Sequence, residues 1–265
     1  MNYETLKIEV DGGIARVVLD RPERLNALNP RMVEELTHYF RGLHARSPER
    51  VVILTGAGRA FCAGLDLKDM QPAGARRGVE DMLATQHSIR DIVLAMRRCP
   101  QPIVSVLNGV ASGGGFALAL ASDVRLATPE GRMNAAFIRV GLTACDIGVS
   151  YFLPRMVGSS VAAEYMLTGR FMTPQRAFAL GLVSQVGTLD EIEAEALAMA
   201  RDMLRATPLG LRLTKDALGL AVDAGSMEAV IGLEDRNQVL CTQGEDFAEG
   251  IAAFLEKREP RYGRG

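Results

Sequence analysis

"VLNGVASGGGFALALASD", residues 106–123, carries one apolar stretch into another through three consecutive glycines and ends in an acid. It reads as strand, glycine loop and helix. Glycine lets a ligand or a second backbone approach closely, and a helix N-terminus presents unpaired N–H groups with a dipole that favours negative charge. Nucleotide sites share this layout, so their fingerprints come first. After "GGG" the chain reads "FALAL", without the Gly-Lys-Ser/Thr of a phosphate loop, and Gly113-x-Gly115 meets Leu118 where a dinucleotide fingerprint has glycine. Ser112 has Val110 two places before it, so the G-x-S-x-G nucleophile elbow fails and Ser112 reads as a loop or cap hydroxyl. Two readings survive: an anion hole, or glycines that serve only tight turns and close helix packing.

A second loop, "TGAGRAFCAGLDLKDM" at 55–70, also follows a buried strand, "VVILT" at 51–55. Two N–H groups from two such loops can converge on one carbonyl oxygen that becomes an enolate. Further out, "LKIEV", "DGG" and "IARVVLD" read as a hairpin, because Asp-Gly supplies the positive φ of a tight turn. Asn29 as N-cap and Pro30 at the first helical position precede an apolar stripe of Met32, Val33, Leu36, Tyr39, Phe40 and Leu43. "PIVSVLN" at 102–108 is another strand, with a long helix expected over 76–98. Short strands that end in glycine loops and alternate with helices define an α/β domain to about residue 187. Beyond it the signals are helical: "LDEIEAEALAMARDML", a helix opened by Thr207 and Pro208, then 226–241 and 245–258. The expected division is 1–187 for the core and 188–265 for a helical region.

Composition narrows the classes. The 30 basic and 32 acidic residues leave a net charge of -2, which gives no footprint for nucleic acid. No apolar run approaches a membrane span, and "MNYETLKIEV" lacks the regions of a signal peptide, so the expected location is the cytoplasm. Cys62, Cys99, Cys145 and Cys241 are widely spaced and only three histidines are present, which argues against a zinc site and a disulfide framework.

Together "RPERLNAL" at 21–28, "GAGRAFCAGLDLKDM" at 56–70, "PQPIVSVLNGVASGGGFALALASDVRLA" at 100–127, "TGRFMTPQRAFALGLVSQV" at 168–186 and "EDFAEGIAAFLEKREPRY" at 245–262 resemble the enoyl-CoA hydratase/isomerase (crotonase) superfamily. The resemblance implies an α/β fold, a spiral of ββα units with a C-terminal helical trimerisation region, assembled as a homotrimer or a dimer of trimers. The ligand it implies is an acyl-CoA thioester, with coenzyme A as part of the substrate and no further cofactor. By position, the thioester carbonyl would accept from the backbone N–H of Leu65 and of Gly114. The adenine end would lie along Ala63 and Leu67, with Arg24, Arg59 and Lys257 near the phosphates, although each cation also fits a solvated surface. Asp66 and Asp123 match family acids that serve as ion pairs or caps.

The sequence departs from the family where its two glutamates stand. The first position is Ala117 and the second Phe137, and residues 133–141, "MNAAFIRVG", contain no acid. General acid–base groups contribute roughly a hundredfold to ten-thousandfold each, so hydration by the two-glutamate route is not expected at full rate. Asp146 in "GLTACDIGVSYFLPRMVG" is the candidate replacement, resembling the loop aspartate of dienoyl-CoA isomerases. It also fits a plain cap for a helix beginning at Ile147. Ser150, Tyr151 and His87 are weaker candidates, with Tyr151 otherwise expected in the core and His87 on a helix surface. Phe137, Met70, Met82 and Leu83 read either as an apolar acyl pocket or as core. The leading expectation is an acyl-CoA enzyme, nominally a hydratase or isomerase. The alternatives are a non-catalytic acyl-CoA binding protein and a thioester hydrolase or decarboxylase of the same superfamily.

Overall fold

The computed structural model describes residues 2–70 and 78–263. The strands are β1 (Leu6–Asp11), β2 (Ile14–Leu19), β3 (Val51–Gly56), β4 (Ala60–Cys62), β5 (Ile103–Leu107), β6 (Val110–Ser112), β7 (Val124–Ala127), β8 (Met133–Asn134) and β9 (Gln185–Val186). The helices of the first half are α1 (Pro30–Gly42), α2 (Leu67–Met70), α3 (Val79–Arg98) and α4 (Gly114–Ala121). After them come α5 (Val149–Val157), α6 (Ser159–Thr168), α7 (Pro174–Ala179), α8 (Leu189–Leu204), α9 (Pro208–Ala221), α10 (Met227–Thr242) and α11 (Glu245–Glu256). Two sheets result, one of six strands in the order β1-β2-β3-β5-β7-β9 and one of three in the order β4-β6-β8. Apart from the β1–β2 hairpin, every pairing between these strands is parallel.

Local chemistry explains the elements. Gly12 and Gly13 turn the hairpin at φ of 54° and 88°, and Asn29 caps α1 by accepting the N–H of Met32 at 2.9 Å. β3 is buried along its whole length, as a central parallel strand must be when helices cover both faces. Its side chains alternate between two cores. Val52 and Leu54 join the large cluster with α1, α3 and α4, whereas Val51 and Ile53 pack under Ile192, Ala196 and Ala200 of α8. Those three recur every fourth residue, so α8 offers the sheet a narrow apolar stripe. The long helix expected over 76–98 is found as Val79–Arg98. Its expected first residues, 76 and 77, lie outside the described residues.

Two buried polar clusters tie the layers together. Glu35 of α1 is fully buried and accepts the Thr5 hydroxyl at 2.6 Å, the N–H of Glu4 at 2.7 Å and the N–H of Thr5 at 2.9 Å, with Arg31 ion-paired at 2.8 Å. Burial pushes its pKa up, but these bonds outweigh burial and hold it below the usual value of 4.5. Glu35→Gln is therefore expected to lower stability by about 2–3 kcal/mol near neutral pH. The native pKa is depressed, so the contribution is whole above 4.5 and disappears as pH falls through the native value. Urea denaturation of wild type and variant should accordingly converge in acid; a gap that stays constant into acid would contradict it.

In the second cluster the Lys215 ammonium of α9, 4% exposed in its side chain, pairs with Asp123 at 3.0 Å and donates to the Gln101 carbonyl at 2.6 Å. Asp123 also pairs with Arg97 of α3 at 2.8 Å and accepts the Ile103 N–H at 2.8 Å. This one carboxylate thereby fastens α9, α3 and the start of β5 together. None of the described helices is long and apolar enough to cross a membrane.

Candidate active site

The glycine stretch folds as strand β6, a turn at Gly113 with φ 52° and ψ -116°, and helix α4. Gly113 donates to the Asn134 carbonyl at 2.9 Å, and the Ser112 hydroxyl meets the Asn134 side-chain oxygen at 2.7 Å, so Ser112 is a loop hydroxyl. No side chain caps α4. The first N–H groups of a helix have no carbonyl of their own turn to bond, so those at the mouth of α4 lack an intrahelical acceptor.

The second loop runs alongside the segment before α1. Leu28 donates to the Gly64 carbonyl at 2.7 Å, and Asp66 donates to the Leu28 carbonyl at 2.9 Å. In this parallel bridge the groups flanking Leu65 turn toward Leu28, so the N–H of Leu65 itself points to the opposite side. Gly64, at φ 94°, is pressed against the glycine turn: a Cβ there would lie 2.7 Å from the Ser112 carbonyl oxygen and 3.3 Å from the Gly114 nitrogen. The tertiary structure thus places the two glycine loops in direct backbone contact.

At positions 117 and 137 the side chains are apolar. Ala117 is fully buried and Phe137 is 9% exposed, with its ring 3.6 Å from where a Gly113 Cβ would stand. Neither can move a proton. The Cys62 thiol beneath is pushed up to about 12 by burial, which leaves it inert as a nucleophile. Met82 and Leu83 are about half exposed on α3, so they are not core, and the side chain of Met70 lies outside the described residues.

Asp146 does not cap a helix that begins at Ile147. α5 begins at Val149, and Gly148 at φ 93° is the residue before it. The half-buried Asp146 carboxylate instead accepts the N–H of Ile147 at 2.8 Å and the side-chain amide of Gln86. Burial raises its pKa above the ordinary 3.8, against the opposing pull of these two donors. Ile147 sits at φ 34°, a left-handed conformation that costs a β-branched residue on the order of 1–3 kcal/mol. Tyr151 is 38% exposed and not core; its hydroxyl bonds Asp223, and the Arg155 guanidinium lies 3.9 Å over its ring. Ser150 and His87 are exposed.

The residues expected near coenzyme A cluster in part. Ala63 donates to the Leu25 carbonyl at 3.0 Å, and a Cβ on Gly58 would lie 3.1 Å from Pro22, so the loops bearing Arg24, Arg59 and Ala63 adjoin. Both arginines are exposed, and neither guanidinium is bonded or ion-paired among the described residues. Leu67 is 48% exposed on α2, and Lys257 is exposed at the left-handed end of α11. The ion pair expected of Asp66 is formed, while its partner Arg21 and a second support of these loops, Asn26, were not singled out from the sequence. Arg21 pairs with Asp66 at 3.2 Å and Asp69 at 3.0 Å. Buried Asn26 donates to Ala57 and Ala60 carbonyls at 2.9 and 2.8 Å. Its signal was present in "RLNAL", since asparagine tolerates the left-handed φ of 54° found there.

These features define an α/β fold whose parallel strands present two glycine loops, one at a helix N-terminus, to a shared surface. The family pattern for enoyl-CoA hydratase/isomerase matches residues 9–265, and the chain belongs to that family of enzymes, with the crotonase fold. A "probable enoyl-CoA hydratase" of Mycobacterium tuberculosis is 38% identical over 94% of this chain and 89% of its own. The "1,2-epoxyphenylacetyl-CoA isomerase" of Escherichia coli is 31% identical over 98% of both chains. A solved enoyl-CoA hydratase from Bacillus anthracis superposes with a TM-score of 0.92 at 30% identity, covering 99% of this chain and 100% of that one.

Proposed function

We propose that the chain acts on an acyl-CoA thioester, with the carbonyl oxygen held between the N–H groups of Leu65 and Gly114 and Asp146 as the acid–base group. The observation that carries this reading is the backbone contact of Gly64 with the Gly114 loop, which sets the chain segments of Leu65 and Gly114 side by side. Negative charge that develops on the oxygen as an enolate forms would be stabilised by both donors. In hydration of a trans-2-enoyl thioester, Asp146 takes a proton from water as the water oxygen bonds C3. The C2–C3 electron pair shifts toward the thioester oxygen, and the proton then returns to C2.

Arg24 and Arg59 would meet the coenzyme A phosphates, with Ala63 and Leu67 along the adenine and Lys257 joining from α11. The apolar side chains left exposed on α9 to α11, among them Leu218 at 66%, Met227 at 69% and Phe254 at 82%, support assembly of copies through residues 188–265 around a core of 1–187. Cytoplasmic location belongs to the same reading. The buried Ala117 and Phe137 favour one rival, an acyl-CoA binding protein without turnover.

Turnover of short and long trans-2-enoyl-CoA, followed by enoyl absorbance and product mass, tests it. Asp146→Asn is expected to lower kcat by roughly a hundredfold to ten-thousandfold. Gly114→Pro deletes one N–H at the first residue of α4. Because any Cβ there would stand 2.9 Å from the Leu28 side chain, Gly114→Ala, which keeps the N–H, is the control. The proline is expected to cost about a hundredfold to a thousandfold more than the alanine. Thioester bound but returned unchanged by wild type would leave the binding protein as the reading.

A further inference from the structure

Asp146 and Gln86 are 60 residues apart in the chain, yet α3 brings the Gln86 amide onto the Asp146 carboxylate. Both of its donors, the Gln86 side chain and the Ile147 N–H, reach the same oxygen, Oδ1. Oδ2 has no hydrogen-bond partner among the described residues. Two donors on one oxygen fix the rotation of a carboxylate and leave the other oxygen as the place where a proton can come and go. We propose that Gln86 is a positioning residue: its amide sets the orientation of the Asp146 carboxylate and reserves Oδ2 for proton exchange. This rests on the reading of Asp146 as the acid–base group.

The titratable and charged side chains on the surrounding elements are Glu80, Asp81, His87, Arg90, Asp91, Arg97 and Arg98 of α3, Cys145 of the loop, and Tyr151 and Arg155 of α5. None of them pairs with Asp146. Arg90 is taken by Asp91 at 3.0 Å, while Tyr151 and Arg155 are taken by Asp223. The proton affinity of Asp146 is therefore governed by burial, which raises it, and by two neutral donors, which lower it. Gln86 is itself exposed, so replacing it leaves the core untouched.

The test is a carbon-detected titration of the full chain labelled at aspartate carboxyls, with the Asp146 signal identified by its loss in Asp146→Asn. Gln86→Met removes the donor and keeps the length; it should raise the Asp146 midpoint by roughly half to one pH unit. Gln86→Lys restores a donor with positive charge and should move the midpoint below that of wild type. A base must be deprotonated to act, so the acid limb of kcat/KM should move upward in the first variant and downward in the second. A Gln86 that only braces the fold would cost activity in both without moving either quantity, and that result overturns the positioning role while Asp146 keeps its own. Turnover indifferent to Asp146→Asn removes the acid–base reading and the positioning role with it.

Discussion

Gly115→Ala is expected to destroy the folded protein, with loss of at least about 4 kcal/mol, enough to consume much of the stability of an ordinary domain. A Cβ at this position would stand 2.1 Å from the carbonyl oxygen of Cys62 and 2.7 Å from its Cβ. The obstacle is backbone of β4, itself held in the small sheet by β6, so no rotamer change can clear it. Relief requires α4 and β4 to separate, and that opens the contact between the two glycine loops. Soluble yield and the urea midpoint measure the effect. Gly42→Ala is the control: no atom lies within 4 Å of its Cβ, and it should match wild type or gain a few tenths of a kcal/mol. A Gly115→Ala protein with a wild-type midpoint would mean that α4 does not pack on β4 this closely.

Asp123→Ala should cost about 3–5 kcal/mol, because it strands a buried ammonium. Lys215 would keep only neutral acceptors, the Gln101 and Met96 carbonyls and the Cys99 sulfur, in a position 4% exposed. Arg97 is 29% exposed and can turn to water, so the loss falls mainly on the lysine. Lys215→Met removes that charge and leaves Asp123 paired with Arg97 and the Ile103 N–H; it should be much milder. Asp123→Ala combined with Lys215→Met should then recover a good part of the stability lost by the first change alone. A double variant as unstable as Asp123→Ala would place the cost in the Ile103 contact instead.

Legibility in the sequence followed the range of the interaction. Asn29, Pro30, Thr207 and Pro208 announced their helices because a cap acts within three residues, and α1 and α9 open where those residues stand. Asp11, Gly12 and Gly13 announced the hairpin for the same reason. The glycine loop was visible as a loop at a helix mouth, and the resemblance supplied positions for the site. The cap assigned to Asp146 failed because a second local signal, Gly148 at positive φ, opens α5 two residues later. Tyr151 was expected inside by its type, but its hydroxyl found Asp223, two residues past α9.

What the sequence by itself determined was the hairpin, the capped helices, the strands at 51–55 and 102–108, the glycine turn before α4, and the absence of acids at 117 and 137. These depend on side-chain period and on φ preferences, which act over a few residues. Only the tertiary structure decided that β5 lies between β3 and β7, that Gly64 touches the Gly114 loop, and that Lys215 reaches Asp123. It alone turned Gln86 onto Asp146. Parallel pairing and buried ion pairs join residues tens of positions apart, and their energy appears only when the intervening chain has closed around a common core.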